Sequence, residues 1–226
     1  MMCTGEPGRR VPIPGAMHFP MVDDSNDSVS PACVRSPLLL TADRSRLVII
    51  DVQEKLFPSI NDRESLLMNL RFLLDAAEIL KIRTILTEQY PKGLGRTVGE
   101  LSGHPVITTR LEKIRFSAAQ RLLQSEQFDT ISLQQPLQVV LAGIETHICV
   151  QQTALDLLSH GVAVFLASDA SGSRRAIDHV QSLRRMESAG VIVTTVESIA
   201  FEWCGVAGTE QFKALSRLVK SRGSPM

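Results

Sequence analysis

From Leu38 onward, short apolar runs alternate with longer stretches whose apolar residues recur every three or four positions. The short runs are Arg46–Asp51 (RLVIID), Thr84–Thr87 (TILT), Pro105–Thr109 (PVITT), Leu137–Ala142, Val162–Ala167 and Val191–Thr195. Several are continuously apolar and rich in β-branched residues, the pattern of strands buried on both faces. Between the first two, Leu66–Lys81 lines up Leu66, Leu67, Leu70, Leu73, Leu74, Ala77 and Leu80 on one helical face. Helices are likewise expected from Ser117 through Leu123, from Ile148 to Ser159, and over Arg174–Ser188, Glu197–Trp203 and Thr209–Lys220. This alternation predicts βαβ units with right-handed crossovers. The expected fold is α/β: a single Rossmann-like, three-layer α/β/α domain over residues 38–222, with a six-stranded, mainly parallel sheet.

Residues 1–37 break the pattern. They are rich in Pro, Gly, Ser and Asp, carry neither structural period, and are expected to form a disordered tail. No apolar run there matches a secretory signal, and Asp23, Asp24 and Asp27 argue against an organellar transit peptide. Met17 and Met21 are alternative starts.

Composition narrows the function classes. Lys+Arg and Asp+Glu are both 24, so the net charge is zero and no basic footprint for nucleic acid is present. No apolar stretch reaches the ~18 residues of a membrane span. Cys3, Cys33, Cys149 and Cys204 are far apart without a CxxC pair, which fits a reducing, cytoplasmic setting. Ile199, Phe201, Trp203, Phe212, Leu215 and Leu218 near the C-terminus must be buried or paired, and a homo-oligomer is expected.

Candidate chemistry gathers at the strand ends. In an open parallel sheet, ligands bind outside the carboxyl ends of the strands. Asp51 ends the first strand, Glu88 and Gln89 follow the second, Lys113 follows the third, Cys149 follows the fourth and Asp169 the fifth. A thiol beginning a helix, beside a lysine, is expected to have a depressed pKa. A nearby carboxylate can take its proton while the lysine fixes that carboxylate. Each residue also has a plainer role: Asp51 as a turn cap, Lys113 as solvated surface, Cys149 as core. Asp169 is expected to organise the turn before the next helix, Arg174 and Arg175 to begin that helix or form ion pairs, and His147 to serve as a hydrogen-bonding residue.

The segments LVIIDVQEKL, TEQYPKGLGRTVGEL, LEKIRFSA, LAGIETHICVQQTALDLL, SDASGSR and ESIAFEW span most of the predicted domain. Together they resemble the isochorismatase-like cysteine hydrolase superfamily, and most of all its uncharacterised isochorismatase-domain-containing hydrolases. The resemblance implies a catalytic triad of Asp51, Lys113 and Cys149. It also implies a cis peptide at Ile144–Glu145 and an oxyanion hole formed by the backbone N–H groups of Glu145 and Cys149. The metal-binding Asp-x-His stretch of nicotinamidases is replaced by TEQYPKG, so no metal and no other cofactor is implied. Gln89 could then offer its amide to a substrate, with Tyr90, Leu94 and Phe116 lining the pocket. The expected activity is metal-independent hydrolysis of a small amide, carbamoyl or related C–N bond through a thioester. The small molecule is the expected partner, with no nucleic acid and no membrane. A non-catalytic interaction protein and a redox-responsive thiol remain alternatives.

Overall fold

The computed structural model describes residues 35–128 and 136–222. All of the expected tail but residues 35–37 lies outside the described residues, with Cys3, Cys33, Met17 and Met21. Six strands form one sheet: β1 (Ser45–Ile50), β2 (Arg83–Gln89), β3 (Ile107–Lys113), β4 (Gln138–Ile144), β5 (Ala163–Gly172) and β6 (Ile192–Thr194). Their spatial order is β3-β2-β1-β4-β5-β6. Every pairing between them is parallel, so the sheet is wholly rather than mainly parallel. The helices are α1 (Arg63–Ile79), α2 (Pro91–Leu94), α3 (Gly99–Ser102), α4 (Ala119–Leu123), α5 (Gln151–Ser159), α6 (Ala176–Ser188), α7 (Val196–Cys204) and α8 (Glu210–Ser221).

Alternate residues of the central strands feed two apolar layers. Leu47 and Ile49 of β1, with Val140 and Ala142 of β4, pack on the layer of α1, α7 and α8. Val48 and Ile50, with Val139 and Leu141, pack on the layer of α4, α5 and α6, which also takes in Cys149. The C-terminal apolar residues are accommodated within the chain: Ile199, Trp203 and Leu215 are buried, and the Phe201 and Phe212 rings face each other at 6.5 Å. Phe201 nevertheless keeps 39% of its surface exposed.

The strand order reverses direction at the β1–β4 pair, leaving a crevice at their carboxyl ends. Gly143 lets the two strands close up there. Its φ is +121°, and a Cβ at this position would run into the Ile50 backbone. Two boundaries differ from expectation in ways that matter for the site. β3 is an edge strand with one face partly exposed, so the charges of Arg110, Glu112 and Lys113 hid its second half, and Lys113 ends the strand instead of following it. β5 continues to Gly172 because Ser171 and Gly172 pair with Gly143 and Ile144 beyond a register shift.

Candidate active site

Strand ends bring the three candidate groups together. Asp51 lies one residue past β1 with φ 52°, a left-handed conformation that aspartate tolerates better than most residues. Its N–H donates to the Thr87 carbonyl at 3.2 Å, and its carbonyl accepts from Gln53 N–H at 2.7 Å. This tight bend fixes the carboxylate at the rim. Oδ1 accepts from the Thr87 hydroxyl at 2.7 Å, and Oδ2 accepts from Lys113 Nζ at 2.6 Å. Both side chains of the ion pair are shut off from solvent, at 1% and 0% exposure.

Lys113 is held by more than that carboxylate. Nζ also donates to Gln89 Oε1 at 2.9 Å and to the Phe116 carbonyl at 2.8 Å, with the Arg115 carbonyl farther off at 3.4 Å. An ammonium has three protons, and these three close acceptors use all of them. Lys113 is thus built to hold Asp51 and supply positive charge. It has no proton left over for a substrate.

Gln89 is part of this cage. Its Nε2 donates to the Ile114 carbonyl at 2.6 Å, so both ends of the amide are engaged. Its backbone N–H donates to Gln53 Oε1 at 2.7 Å, and Gln53 Nε2 returns a bond to the Gln89 carbonyl at 3.0 Å. Tyr90 and Phe116, in contrast, are about half exposed on the two segments flanking the cage, at 51% and 53%. Beside them a cavity of about 340 Å³ is lined by Pro91, Lys113, Ile114, Arg115, Ser117 and Arg121, among others.

Cys149 enters from the other side of the crevice. After β4 the chain forms a single π turn, Thr146–Val150, which leads directly into α5. The wide turn accounts for helical structure starting two residues before the expected Ile148. Its thiol is buried, and the charges of Asp51 and Lys113 both act on it. The expectation of a depressed thiol pKa is overturned. Burial pushes the thiol up and the Asp51 charge adds to it, and together they outweigh the opposing pull of Lys113. The resting sulfur is a protonated thiol beside a carboxylate.

The peptide expected to be cis at Ile144–Glu145 is trans, like every other described peptide. Glu145, with φ −43° and ψ 105°, makes the bend out of β4, and its carbonyl accepts from Ile148 N–H at 3.0 Å. The Glu145 carboxylate is buried between Arg174 Nε at 2.8 Å and His147 Nδ1 at 3.2 Å, contacts that fall off the hydrogen-bond axis. His147 Nδ1 also lies 3.1 Å from Ser173 Oγ, a hydrogen-bonding role at the back of the turn. Arg175 precedes α6 as its N-cap. Asp169 acts on a different helix than expected: Oδ1 accepts from Val196 N–H at 2.9 Å, at the start of α7.

Among the described residues, Asp75, Glu78 and His104 approach metal-ligand spacing, with candidate atoms within 4.8 Å of one another. They lie at the end of α1 and just before β3, at the opposite edge of the sheet from Asp51. His104 Nδ1 accepts from Val106 N–H at 3.4 Å, which leaves the Nε2 proton to the Asp75 contact at 3.0 Å. The ring in that state ties α1 to the loop before β3. Sequence reasoning missed this group because 29 residues separate His104 from Asp75.

Comparison with known proteins shows the family. The profile of the isochorismatase domain family matches residues 45–198. The chain is 39% identical over 173 residues to isochorismatase domain-containing protein 1 of Salmo salar. That match covers 76% of this chain but 59% of the salmon protein, so the chain spans less than two thirds of that relative. Identity to isochorismatase domain-containing protein 2 of Danio rerio is 37% over 180 residues, 80% of this chain and 89% of that protein. The solved structure of MAR1 ribonuclease from Caenorhabditis elegans superposes with a TM-score of 0.70 at 35% identity, covering 80% of this chain and 92% of the other.

Proposed function

Because this chain belongs to the isochorismatase domain family, whose hydrolase fold it has, we propose that it is a metal-independent cysteine hydrolase of small amide, carbamoyl or related C–N bonds. One observation carries the reading: a buried thiol lies in the field of a carboxylate that is held by a hydroxyl and a fully caged ammonium. The protonated thiol makes Asp51 the base. As Cys149 Sγ attacks the carbonyl carbon, its proton passes to Asp51, so no free thiolate accumulates. The carbonyl electrons move onto oxygen, which the N–H groups of Glu145 and Cys149 would stabilise as an oxyanion hole. Collapse breaks the C–N bond, and Asp51 returns the proton to the leaving nitrogen. A water then attacks the thioester, giving its proton to Asp51, and the released sulfur recovers it. Lys113 stays charged throughout and keeps the carboxylate aimed.

With the Gln89 amide spent on Lys113 and Ile114, substrate contact falls to Tyr90 and Phe116 at the rim. A cytoplasmic, reducing setting belongs to the same reading, since the thiol must stay reduced. Self-association also belongs to it, through the exposed Ile114 and Phe116 instead of the C-terminal helices. No described helix is long and apolar enough to cross a membrane.

The test is a screen of amides, carbamates, ureas and RNA oligonucleotides against wild type and Cys149→Ala, with and without chelator. Release of amine or ammonia by wild type alone, unaffected by chelation, is the expected result. Chelator-sensitive turnover restored by one divalent ion would overturn metal independence. RNA cleavage without C–N hydrolysis would replace the substrate class.

A further inference from the structure

Thr153 lies in α5, fully buried and four residues after Cys149. Its hydroxyl donates to the Cys149 carbonyl at 2.6 Å. A threonine bonding back to the carbonyl four residues earlier is common in helices and by itself says little. The same oxygen, however, accepts the N–H of Ala118 at 2.9 Å, from a segment 35 residues away. That segment follows β3 and is the one that cages Lys113: the Phe116 carbonyl, two residues before Ala118, takes an Nζ proton at 2.8 Å. A continuous path therefore runs from the Lys113 ammonium through Phe116–Ala118 and the Thr153 hydroxyl to the backbone of Cys149.

We propose that Thr153 is a positioning residue that locks the Cys149 turn to the Lys113 cage, so that nucleophile and cation are held in register as one unit. The inference rests on the reading of Cys149 as the nucleophile. A hydroxyl has one proton and two lone pairs. Here the proton goes to Cys149 and a lone pair to Ala118, both buried. No apolar side chain of the same shape can satisfy both ends, whereas serine can. Register matters because reacting groups displaced by about 1 Å lose roughly 100-fold in rate.

Two neighbours show why the lock is needed. Lys113 reaches Asp51 from the β3 side, and Cys149 reaches it from the β4 side. β3 and β4 are not adjacent in the sheet; β2 and β1 lie between them. Apart from Asp51 and the apolar packing of α4 on α5, their relative placement is transmitted through two intervening strands. The Thr153 bond joins the two sides directly.

The experiment follows Cys149 alkylation by iodoacetamide in the full-length protein from pH 6 to 10, resolved from other cysteines by peptide mapping. A thiol held against Asp51 should react slowly, with a midpoint well above that of an ordinary thiol. Thr153→Val should free the turn, moving the midpoint toward the ordinary value of 9.0 and raising the neutral-pH rate at least ~5-fold. Thr153→Ser should stay within about 2-fold of wild type. A folded Thr153→Val protein with the wild-type rate and midpoint overturns the proposal, and so does a serine variant that behaves like valine. Should the valine variant fail to fold, Thr153→Ala removes the same hydroxyl without setting a methyl group against the Ala118 N–H. It should give the same shift, and a wild-type profile there overturns the proposal too. The underlying reading fails separately: wild-type protein fully alkylated at Cys149 would keep its turnover.

Discussion

Two buried carboxylates stand at neighbouring strand ends, each paired with a cation, and they do different things. Glu88, the penultimate residue of β2, has both oxygens filled from its own following loop. Oε1 accepts the Thr97 N–H at 2.8 Å and the Thr97 hydroxyl at 2.9 Å, and Oε2 accepts from Arg96 at 2.9 Å. Arg96 remains 65% exposed and also meets Glu112. Asp51, just past β1, is paired with a cation that is itself buried and with the Thr87 hydroxyl, and its charge acts on the buried Cys149 thiol. Glu88 is therefore a clasp that closes the loop between β2 and α3. Asp51 is a carboxylate whose proton traffic is left open on one side. Sequence type does not separate them, since both are acids ending buried strands. What separates them is whether the partners come from the adjacent loop or from two other strands and the turn after β4.

The sharpest break in this comparison is catalytic. Once a substrate is found, Cys149→Ala, Asp51→Asn and Lys113→Ala should each lower kcat by on the order of 10⁴-fold, and the double variants should lose little more, as expected of groups acting together. Glu88→Gln should keep kcat within about 3-fold. Single and double variant kinetics decide it. Additive losses would mean that the three residues do not form a unit.

Stability separates the two pairs next. Lys113→Met leaves Asp51 as a buried, unpaired charge, and losing one partner of such a pair costs about 3–5 kcal/mol. Adding Asp51→Asn should recover part of this, because the orphaned charge goes too. Arg96→Met should matter much less, since Arg96 is solvated and Glu88 keeps both Thr97 bonds. Urea denaturation of the four proteins gives the comparison.

Acid should distinguish the clasp. Burial raises the Glu88 pKa, but the Thr97 N–H, the Arg96 guanidinium and the Thr97 hydroxyl outweigh it, and the net shift is downward from 4.5. A carboxylate depressed by folding contributes stability above its unfolded pKa and loses it as pH falls through the folded value. Wild type should therefore weaken below pH 4.5 by more than Glu88→Gln does. Glu88→Gln should be about 1–3 kcal/mol less stable at neutral pH, where it disrupts a buried hydrogen-bonded carboxylate. Equal acid slopes in the two proteins would remove Glu88 from the account.

Much of this was legible in the chain. The apolar runs located β1, β2 and β4, and the rule that parallel strands share a functional edge placed Asp51, Lys113 and Cys149 at one rim. The edge strand β3 was cut short because one-sided exposure mixes charges into its run. Thr87, Gln53 and Thr153 gave no signal. A threonine ending TILT or lying inside a helix becomes meaningful only through partners about 35 residues away, such as Asp51 or Ala118. The thiol was misjudged for a related reason: position at a helix start is visible in sequence, whereas the depth of burial and the charge of Asp51 beside it are set by the fold.

That misjudged thiol supplies the smallest and most specific prediction. Burial and Asp51 hold the Cys149 pKa above its ordinary value of 9.0, so the folded protein retains a proton that the unfolded chain releases in alkali. Stability falls with pH wherever the native state binds more protons than the unfolded state. The contribution is complete below pH 9 and declines above it, by up to about 1.4 kcal/mol per pH unit. The measurement must be differential, so that only the ionisation of this thiol is compared. Cys149→Ser keeps a polar group of similar size that does not ionise there, and urea midpoints for both proteins at pH 8 and pH 10 isolate the thiol. Wild type should lose about 1 kcal/mol more than the serine variant between those two values. Parallel losses would mean that Cys149 titrates as an ordinary thiol. Asp51 would then face a thiolate at alkaline pH, and the clasp and the site would no longer differ in the way proposed.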